Sequence, residues 1–314
     1  MRCLPIFTLH VIAVFISGGL LASGSATALE VTFQRVAEGI YAHVGDKGAR
    51  SYANEGLNAN IGLVVTAEGA VLIDSGATFQ SARQIHEAVK SVTSQPVKWV
   101  INTGGQDHRW LGNGYFAAQG AQIIAHENAR ADMMARGGDH LAALKIALRE
   151  RAEGTVPLLP TRWISGEDAQ LVLGGVPIAL RHRGGGHTPG DMMVWLAQPR
   201  VLFSGDIVYV DRLLSVIPVS NTRAWLATFD VIDALQPTRL VPGHGDITDL
   251  TTTQRQTRDY LRALRSHMKK AVDDSVEISA AVKSFNAQPW AALLNAADLL
   301  PGNASRTYLE LERE

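Results

Sequence analysis

In the first part of the chain, short apolar runs alternate with polar turns. Residues 31–45 alternate in strand fashion, and residues 59–76 predict two strands around a Glu-Gly turn that end at Asp74. Residues 80–92 place their apolar side chains at helical spacing, on one face. The pattern therefore predicts strands followed by an amphipathic helix.

The same alternation of strand and helix continues. The buried strand VKWVI starts at residue 97, a short helix is predicted over 112–119, and the strand AQIIAHE leads into a helix over 127–136. Strands that alternate with helices indicate an α/β fold. Residues 137–160 are more polar and contain prolines. We therefore predict a helix and a loop that connect the two halves of the chain and cover its functional site.

The second half repeats this outline without a visible sequence repeat. Residues 170–185 and 192–206 are rich in strand formers, and a helix follows around Trp225 and Phe229. A strand that starts at residue 239 ends in a glycine-flanked histidine, and residues 253–273 predict an amphipathic charged helix before a last short helix. The chain is expected to form one α/β domain with a helical tail over about 253–314.

The N-terminus has a different pattern. Arg2 precedes the apolar run Cys3–Leu21, and small residues lead to Ala26-Thr27-Ala28. A basic start, an apolar run and an A-x-A site are typical of a secretory signal, which predicts a signal peptide over 1–28 and a mature domain over 29–314. An uncleaved anchor is the alternative, but polar residues and glycines interrupt the run. We therefore expect a periplasmic or secreted bacterial protein.

Composition limits the partners and the metal ligands that the chain can have. The chain has 314 residues, a formal net charge of −1 and a single cysteine, Cys3, which lies inside the predicted signal. The near-neutral charge argues against a nucleic-acid partner, and no other stretch is apolar enough to span a membrane. A mature chain without thiols must hold any metal ion with His, Asp or Glu. We expect a small-molecule substrate, and the pattern leaves the oligomeric state open.

Polar residues with metal-binding chemistry recur in loops that follow buried strands. A sheet holds such residues rigidly while they reach solvent, and neighbouring glycines let the backbone turn sharply. His and Asp suit zinc and similar divalent ions. The residues are Asp74, Asp107, His108, His187 in GGGHTPGD, Asp206 in LFSGD and His244 in VPGHG.

Together, the Asp-His loop, GHTPGD, SGD and PGHG resemble the motifs of the metallo-β-lactamase superfamily, in the family order. The resemblance implies a four-layer αββα sandwich with the metal site at one edge, between two sheets. It also implies a centre of up to two ions, often zinc, in which Asp206 bridges the metals and a metal-bound hydroxide attacks the substrate.

The first loop, 102–109, departs from the family motif H-x-H-x-D-H, and two alignments are open. Anchoring on Gly112-Asn113 puts Gly104 and Gln106 at the H-x-H positions, His108 at the Asp position and Arg109 at the last His. The other alignment keeps Asp107-His108 as the D-H pair and puts Thr103 and Gly105 at the H-x-H positions. Both alignments lose the H-x-H histidines.

The remaining ligands are enough for one ion. The resemblance assigns His108, His187, Asp206 and His244 to the metal, which we expect to be one divalent ion, zinc first, with iron or manganese as alternatives. A weak second site is possible in principle.

Three further residues of the loop are candidates for a catalytic role. These are Asp107 as a partner of His108, Gln106 as an orienter of bound water, and Arg109 as a binder of an anionic substrate group. We expect Asp74, Asp191 and Thr188 to support the loops by hydrogen bonds, without binding the metal.

These features give three functional hypotheses. The first is an exported metal-dependent hydrolase of small esters, thioesters, lactones or amides, similar to superfamily members that accompany sulfur oxidation or quinoprotein systems. The second is a non-catalytic binding protein with a reduced or structural metal site. An iron redox enzyme of the same fold is a third option, and the altered loop argues against β-lactam hydrolysis.

Overall fold

The computed structural model describes Met1 and residues 30–314. The predicted signal segment, with Cys3, therefore lies outside the described residues except for Met1. In the part of the chain that is described, no helix combines the length and the apolar character needed to cross a bilayer.

Two β-sheets form the centre of the domain. The first has seven strands in chain order, antiparallel from β1 to β4 and parallel from β4 to β7. Its strands are β1 (Gln34–Ala37), β2 (Ile40–His43), β3 (Ile61–Val65), β4 (Ala70–Ile73), β5 (Val97–Ile101), β6 (Gln122–His126) and β7 (Arg162–Ile164).

The second sheet has five strands in the order β12-β11-β10-β9-β8. Its pairs are antiparallel except for β11 and β12, which are parallel. The strands are β8 (Asp168–Leu173), β9 (Val176–Arg181), β10 (Met193–Leu196), β11 (Val201–Phe203) and β12 (Arg239–Val241).

Helices cover the outer faces of both sheets. Short 3-10 turns lie at Arg149–Ala152, Gly205–Ile207 and Gln288–Trp290, and a π turn spans Gln254–Arg258. The α-helices are α1 (Phe79–Val92), α2 (Asp107–Trp110), α3 (Asn113–Ala118), α4 (Ala129–Leu148), α5 (Thr222–Leu235), α6 (Leu250–Thr253), α7 (Asp259–Asp273), α8 (Ile278–Ser284) and α9 (Ala296–Leu311).

The apolar core separates into layers that match this arrangement. Alternate residues of the strands, such as Val64 and Ile73 of the first sheet and Val194 and Phe203 of the second, pack between the sheets. The opposite face of the first sheet packs against α1 and α3, and that of the second against α5, α7 and α9. The predicted αββα sandwich is confirmed.

Two helices are longer than the apolar pattern predicted. The helix expected over 127–136 continues to Leu148 as α4, through Gly137 and Gly138, so residues 137–148 are not a separate connection. Gly137 lies against Trp110, whose ring would be 3.0 Å from an added Cβ, and this packing holds the helix through the glycine pair. The last helix is also longer than expected, because α9 runs for 16 residues and includes Pro301.

Gly62 of β3 is a point where the two sheets touch. A Cβ on this residue would lie 2.5 Å from the ring of Phe203 on β11 and 3.0 Å from Ile73. We expect Gly62→Ala to lower the free energy of unfolding by about 1–3 kcal/mol, because overpacking a close-packed core forces side chains from their preferred positions. Denaturant unfolding followed by circular dichroism measures this change.

Gly138→Ala is the matched control, since nothing lies within 4 Å of its added Cβ on α4. That change should stabilise the protein by about 0.5–1 kcal/mol, as alanine restricts the unfolded chain more than glycine. Adding Phe203→Leu to Gly62→Ala should recover part of the loss. Equal stability of the two single variants would mean that the sheets are not in contact at Gly62.

Candidate metal centre

The candidate ligands come from four loops at the same edge of the two sheets. His108 lies on the short helix α2, which follows β5, and His187 lies in the loop between β9 and β10. Asp206 lies in the 3-10 turn after β11, and His244 follows β12. The chain is therefore folded so that both sheets contribute to one site, as the sequence predicted.

Three of these residues meet around one point. His108 Nε2 is 3.1 Å from Asp206 Oδ2, and His244 Nε2 is 3.2 Å from Asp206 Oδ1. One ligand atom from each of the three residues lies within 4.8 Å of the others, and all three side chains are buried. Ligand atoms around a tetrahedral zinc are about 3.3 Å apart, given zinc–ligand distances near 2.1 Å. The spacing suits a metal ion.

The hydrogen bonding of His244 supports a cation at this point. Its Nδ1 lies 2.6 Å from the carbonyl oxygen of Asn58, which can only accept, so Nδ1 carries a hydrogen. Burial holds the pKa of His244 well below its ordinary value although Asp206 opposes the shift, so the ring is neutral and Nε2 has a bare lone pair. That lone pair faces a carboxylate oxygen, and a cation between them removes the repulsion.

His108 is oriented by its neighbour in the chain. His108 Nδ1 is 3.2 Å from Asp107 Oδ1, which frees Nε2 to face Asp206. Asp107 is in turn paired with Arg50, at 2.6 Å and 2.5 Å. Burial alone would raise the pKa of Asp107, but Arg50 and His108 outweigh it and hold the pKa well below the usual value. A carboxylate behind a histidine is a common means of fixing a metal ligand.

Arg109 lies beneath the centre and holds its carboxylates in place. Its side chain is 1% exposed, and Nη2 and Nε bind Asp206 at 2.5 Å and 3.2 Å while Nη1 binds Asp74 at 2.9 Å. It also donates to the carbonyl oxygens of Asn60 and Gly243. Burial alone would raise the pKa of Asp206, but Arg109 and then His108 hold it well below its usual value.

The sequence suggested that Arg109 binds an anionic substrate group, and the structure gives it a different place. Its donors are directed at protein acceptors and it is closed off from solvent. Arg109 is therefore a positioning residue for Asp206 and Asp74.

In each alignment, one of the two H-x-H positions of the first loop is crowded by a neighbouring carboxylate. A Cβ on Gly104 would lie 2.3 Å from Asp191 Oδ1, and a Cβ on Gly105 would lie 2.4 Å from Asp132 Oδ2. Gln106 Oε1 instead accepts a hydrogen bond from Arg136 of α4, at 3.3 Å. Gln106 as a water orienter stays a prediction.

The position of His108 agrees with both alignments of the first loop. His108 stands at the Asp position in one and at the last His of the D-H pair in the other, and it is the loop residue that joins Asp206 and His244. Asp107, which the second alignment also makes a ligand, lies behind His108 and pairs with Arg50. Gly112 must be a glycine in either case, because an added Cβ would lie 2.0 Å from the carbonyl oxygen of Ser75.

His187 lies next to the group of three but outside it. Its Nδ1 donates to the carbonyl oxygen of Ser215 at 2.8 Å, and burial lowers its pKa to about 4 although Asp206 opposes the shift. The ring is therefore neutral at physiological pH. His187 as a metal ligand stays a prediction, and the geometry places it beside the proposed ion. As expected, Asp191 accepts hydrogen bonds from Thr188 and supports this loop.

The sequence reasoning missed Tyr209 and several arginines. The ring of Tyr209 stacks on that of His244, with centroids 4.7 Å apart and planes inclined at 23°, and it faces His187 at 6.0 Å. Burial and the charge of Asp206 raise its pKa well above the usual value, so the phenol keeps its hydrogen. The sequence feature that could have identified Tyr209 is its position three residues after Asp206.

We expect His244→Ala to reduce bound metal to less than about a tenth of the wild-type content, because it removes one of three ligands. His187→Ala should lower the metal content as sharply if His187 is a fourth ligand, and should keep at least about half of it if His187 only lines the site. His182→Ala is the control, since His182 is buried but bonds to a backbone carbonyl. Elemental analysis of protein purified without chelator or His-tag measures the content, and a greater loss in His187→Ala than in His244→Ala would contradict the three-residue site.

Comparison with known proteins places this geometry in a family. The model of the metallo-beta-lactamase superfamily matches residues 54–244, which contain all of the candidate ligands. The metallo-beta-lactamase of Pontibacter korlensis has a similar fold, with a TM-score of 0.57 and 22% identity, over 74% of this chain and 99% of that chain.

Curated relatives match over part of their length. The 2,4-dinitroanisole O-demethylase subunit alpha of Nocardioides sp. is 28% identical over 56% of this chain and 49% of its own length, so the chain spans about half of that relative. The acyl-coenzyme A thioesterase MBLAC2 of Gallus gallus is 22% identical over 67% of this chain and 80% of its own. The family match covers more than half of the chain, and the chain belongs to the metallo-beta-lactamase superfamily.

Proposed function

We propose that the protein is an exported metal-dependent hydrolase of a small ester, thioester, lactone or amide. The observation that carries this proposal is the buried group of three ligand side chains, in which His244 Nε2 lies 3.2 Å from one oxygen of Asp206 and His108 Nε2 lies 3.1 Å from the other. Superfamily members are often hydrolases, and this donor set is the part of their centre that the chain retains.

His108, Asp206 and His244 would hold one divalent ion, and three protein ligands leave a coordination position open, as in catalytic zinc sites. When bound, the ion polarises a carbonyl and lowers the pKa of water. We propose zinc first, while imidazole and carboxylate ligands also suit iron or manganese.

The chain supplies a proton donor and a proton acceptor beside this position. The phenol of Tyr209 is protonated, and the described residues offer its hydroxyl no hydrogen bond, so it is free to donate to a carbonyl oxygen. His187 is neutral with its Nδ1 hydrogen committed to Ser215, so its Nε2 lone pair can take a proton. The ring of Tyr209 stacks on that of His244 and faces that of His187, so we propose that both functions act on a substrate bound at the ion.

Thioesters are the first substrate class to test. The chicken relative is named an acyl-coenzyme A thioesterase, and its alignment extends over 80% of its own length. This supports a thioester substrate without setting its acyl group.

A second candidate function has its own support in the first loop. Asp191 occupies the space that a side chain at position 104 would need, so the first metal position of the family cannot be rebuilt without moving Asp191. A chain that has lost one of two ions is a candidate for a non-catalytic binding protein with a reduced or structural metal site.

We expect the metal-loaded full chain to hydrolyse at least one member of a panel of esters, thioesters, lactones and amides. Chelation should abolish the activity and added zinc, iron or manganese should restore it, because the ion supplies the electrophile. Tyr209→Phe should lower kcat about 10²-fold with metal content unchanged, since one donor to a developing oxyanion is lost.

Asp168→Asn, which alters an exposed carboxylate paired with Arg183, is the control and should keep full activity. Full metal occupancy with no turnover of any panel member would contradict the hydrolase and favour the binding protein.

The proposed export has a separate test. If the predicted signal is cut after Ala28, intact-mass analysis of protein made with its own N-terminus in a bacterial host should give a chain that starts at Leu29. A chain of full mass in the membrane fraction would instead support the uncleaved anchor.

A further inference from the structure

Arg212 is a buried cation without a counter-charge among the described residues. It is 9% exposed, and Nη1 donates to the carbonyl oxygen of Gly48 at 3.0 Å. That is the one hydrogen bond its guanidinium makes within the described part of the chain, and no ion pair to it is found there. Its Nε is buried without a partner, and so is Nε of Arg50.

Such an arrangement is costly for folding, because a charge removed from water must be compensated by other groups. Arg109 shows how the same chain buries a structural arginine, with two carboxylates and two carbonyl oxygens around it. Arg212 lacks such partners, although it is nearly as buried. The contrast indicates that Arg212 has a partner beyond the described residues.

Arg212 and Arg50 lie on segments that border the metal centre. Arg212 follows Tyr209, which stacks on His244, and its one acceptor, Gly48, belongs to the loop that carries Arg50. Arg50 in turn binds Asp107, the residue that orients His108. Arg50 is therefore one residue removed from the ligand His108, and Arg212 lies three positions after Tyr209, which stacks on the ligand His244.

The charges around Arg212 agree with this position. Burial lowers its pKa, Tyr209, Asp206 and Asp46 oppose the shift, and Arg50 adds to the lowering. Asp46 accepts hydrogen bonds from Gly48 N at 2.7 Å and forms no ion pair with Arg212 among the described residues. A negative group between the two guanidiniums would relieve their repulsion and give each unpaired Nε an acceptor.

We propose that Arg212 and Arg50 form an anion-binding subsite beside the metal centre, which holds a carboxylate or phosphate group of the substrate. The assignment to a substrate rests on the proposed hydrolase function, and the anion site itself does not. The substrate class is then an ester or thioester that carries a negative charge on the part of the molecule away from the scissile carbonyl.

The first experiment measures the thermal midpoint of the full chain against sulfate concentration, for wild type and Arg212→Met. At matched ionic strength, sulfate should raise the midpoint of the wild type by more than that of Arg212→Met, which should keep only the general stabilisation that sulfate gives a folded protein. Without sulfate, Arg212→Met should melt at the same temperature or higher, because an unpaired buried cation has been replaced by an apolar side chain. A lower midpoint for Arg212→Met without sulfate would show a structural role and overturn the proposal.

Arg262→Met is the charge-matched control, because Arg262 is an exposed arginine on α7, paired with Asp230 at 3.4 Å. It should keep the wild-type response to sulfate. The titration is repeated after chelation, since sulfate could also bind a metal ion. A response that persists without metal assigns the anion to the arginines, and a response that disappears assigns it to the metal and overturns the proposal.

The substrate assignment has its own measurement. With a thioester that carries a carboxylate, Arg212→Met should raise KM about 10- to 100-fold, because a charge-assisted contact is lost. With a neutral thioester of the same size, KM should not change. An equal change for both would overturn the substrate role, whereas a protein with no hydrolysis at all would still give the sulfate result.

Discussion

The buried contact of Arg109 with Asp206 and Asp74 is the constraint on which the rest of the centre depends. Asp74 ends β4 in the first sheet and Asp206 follows β11 in the second, so this guanidinium joins the two sheets at the edge where the loops meet. Its bonds to the carbonyl oxygens of Asn60 and Gly243 fix two more loops. Asp206 can face two imidazoles without moving because Arg109 holds both of its oxygens from behind.

The layered fold could be predicted from the sequence, because alternation in residues 31–45 and 59–76 and the helical spacing in 80–92 depend on local burial. The length of α4 could not, since the helix continues through two glycines, and the contact of Gly137 with Trp110 joins residues that are distant in the chain. Helix propensity alone would predict that the helix ends at the two adjacent glycines.

Some residues of the metal centre could likewise be predicted from the sequence, and others could not. Asp206 and His244 carry glycine-flanked motifs that mark them in the sequence, and the structure brings them together. The role of Arg109 could not be predicted from the sequence, because a loop arginine beside a metal motif can equally face solvent or lie beneath the site. Tyr209, Arg50 and Arg212 carry no motif, and their importance follows from stacking and from unpaired atoms, which exist only in three dimensions.

Charge balance supports the proposal of one ion together with an anionic substrate. Arg109 offsets one of the two charges of Asp74 and Asp206, and Arg50 offsets Asp107, which leaves one negative charge beneath the site. One divalent ion would turn this into one positive charge, to which Arg212 adds another. A second ion at the altered loop would add two more charges where Arg136 and Asp132 already offset each other. A single ion therefore balances these charges best, and the remaining positive charge would favour a negatively charged substrate.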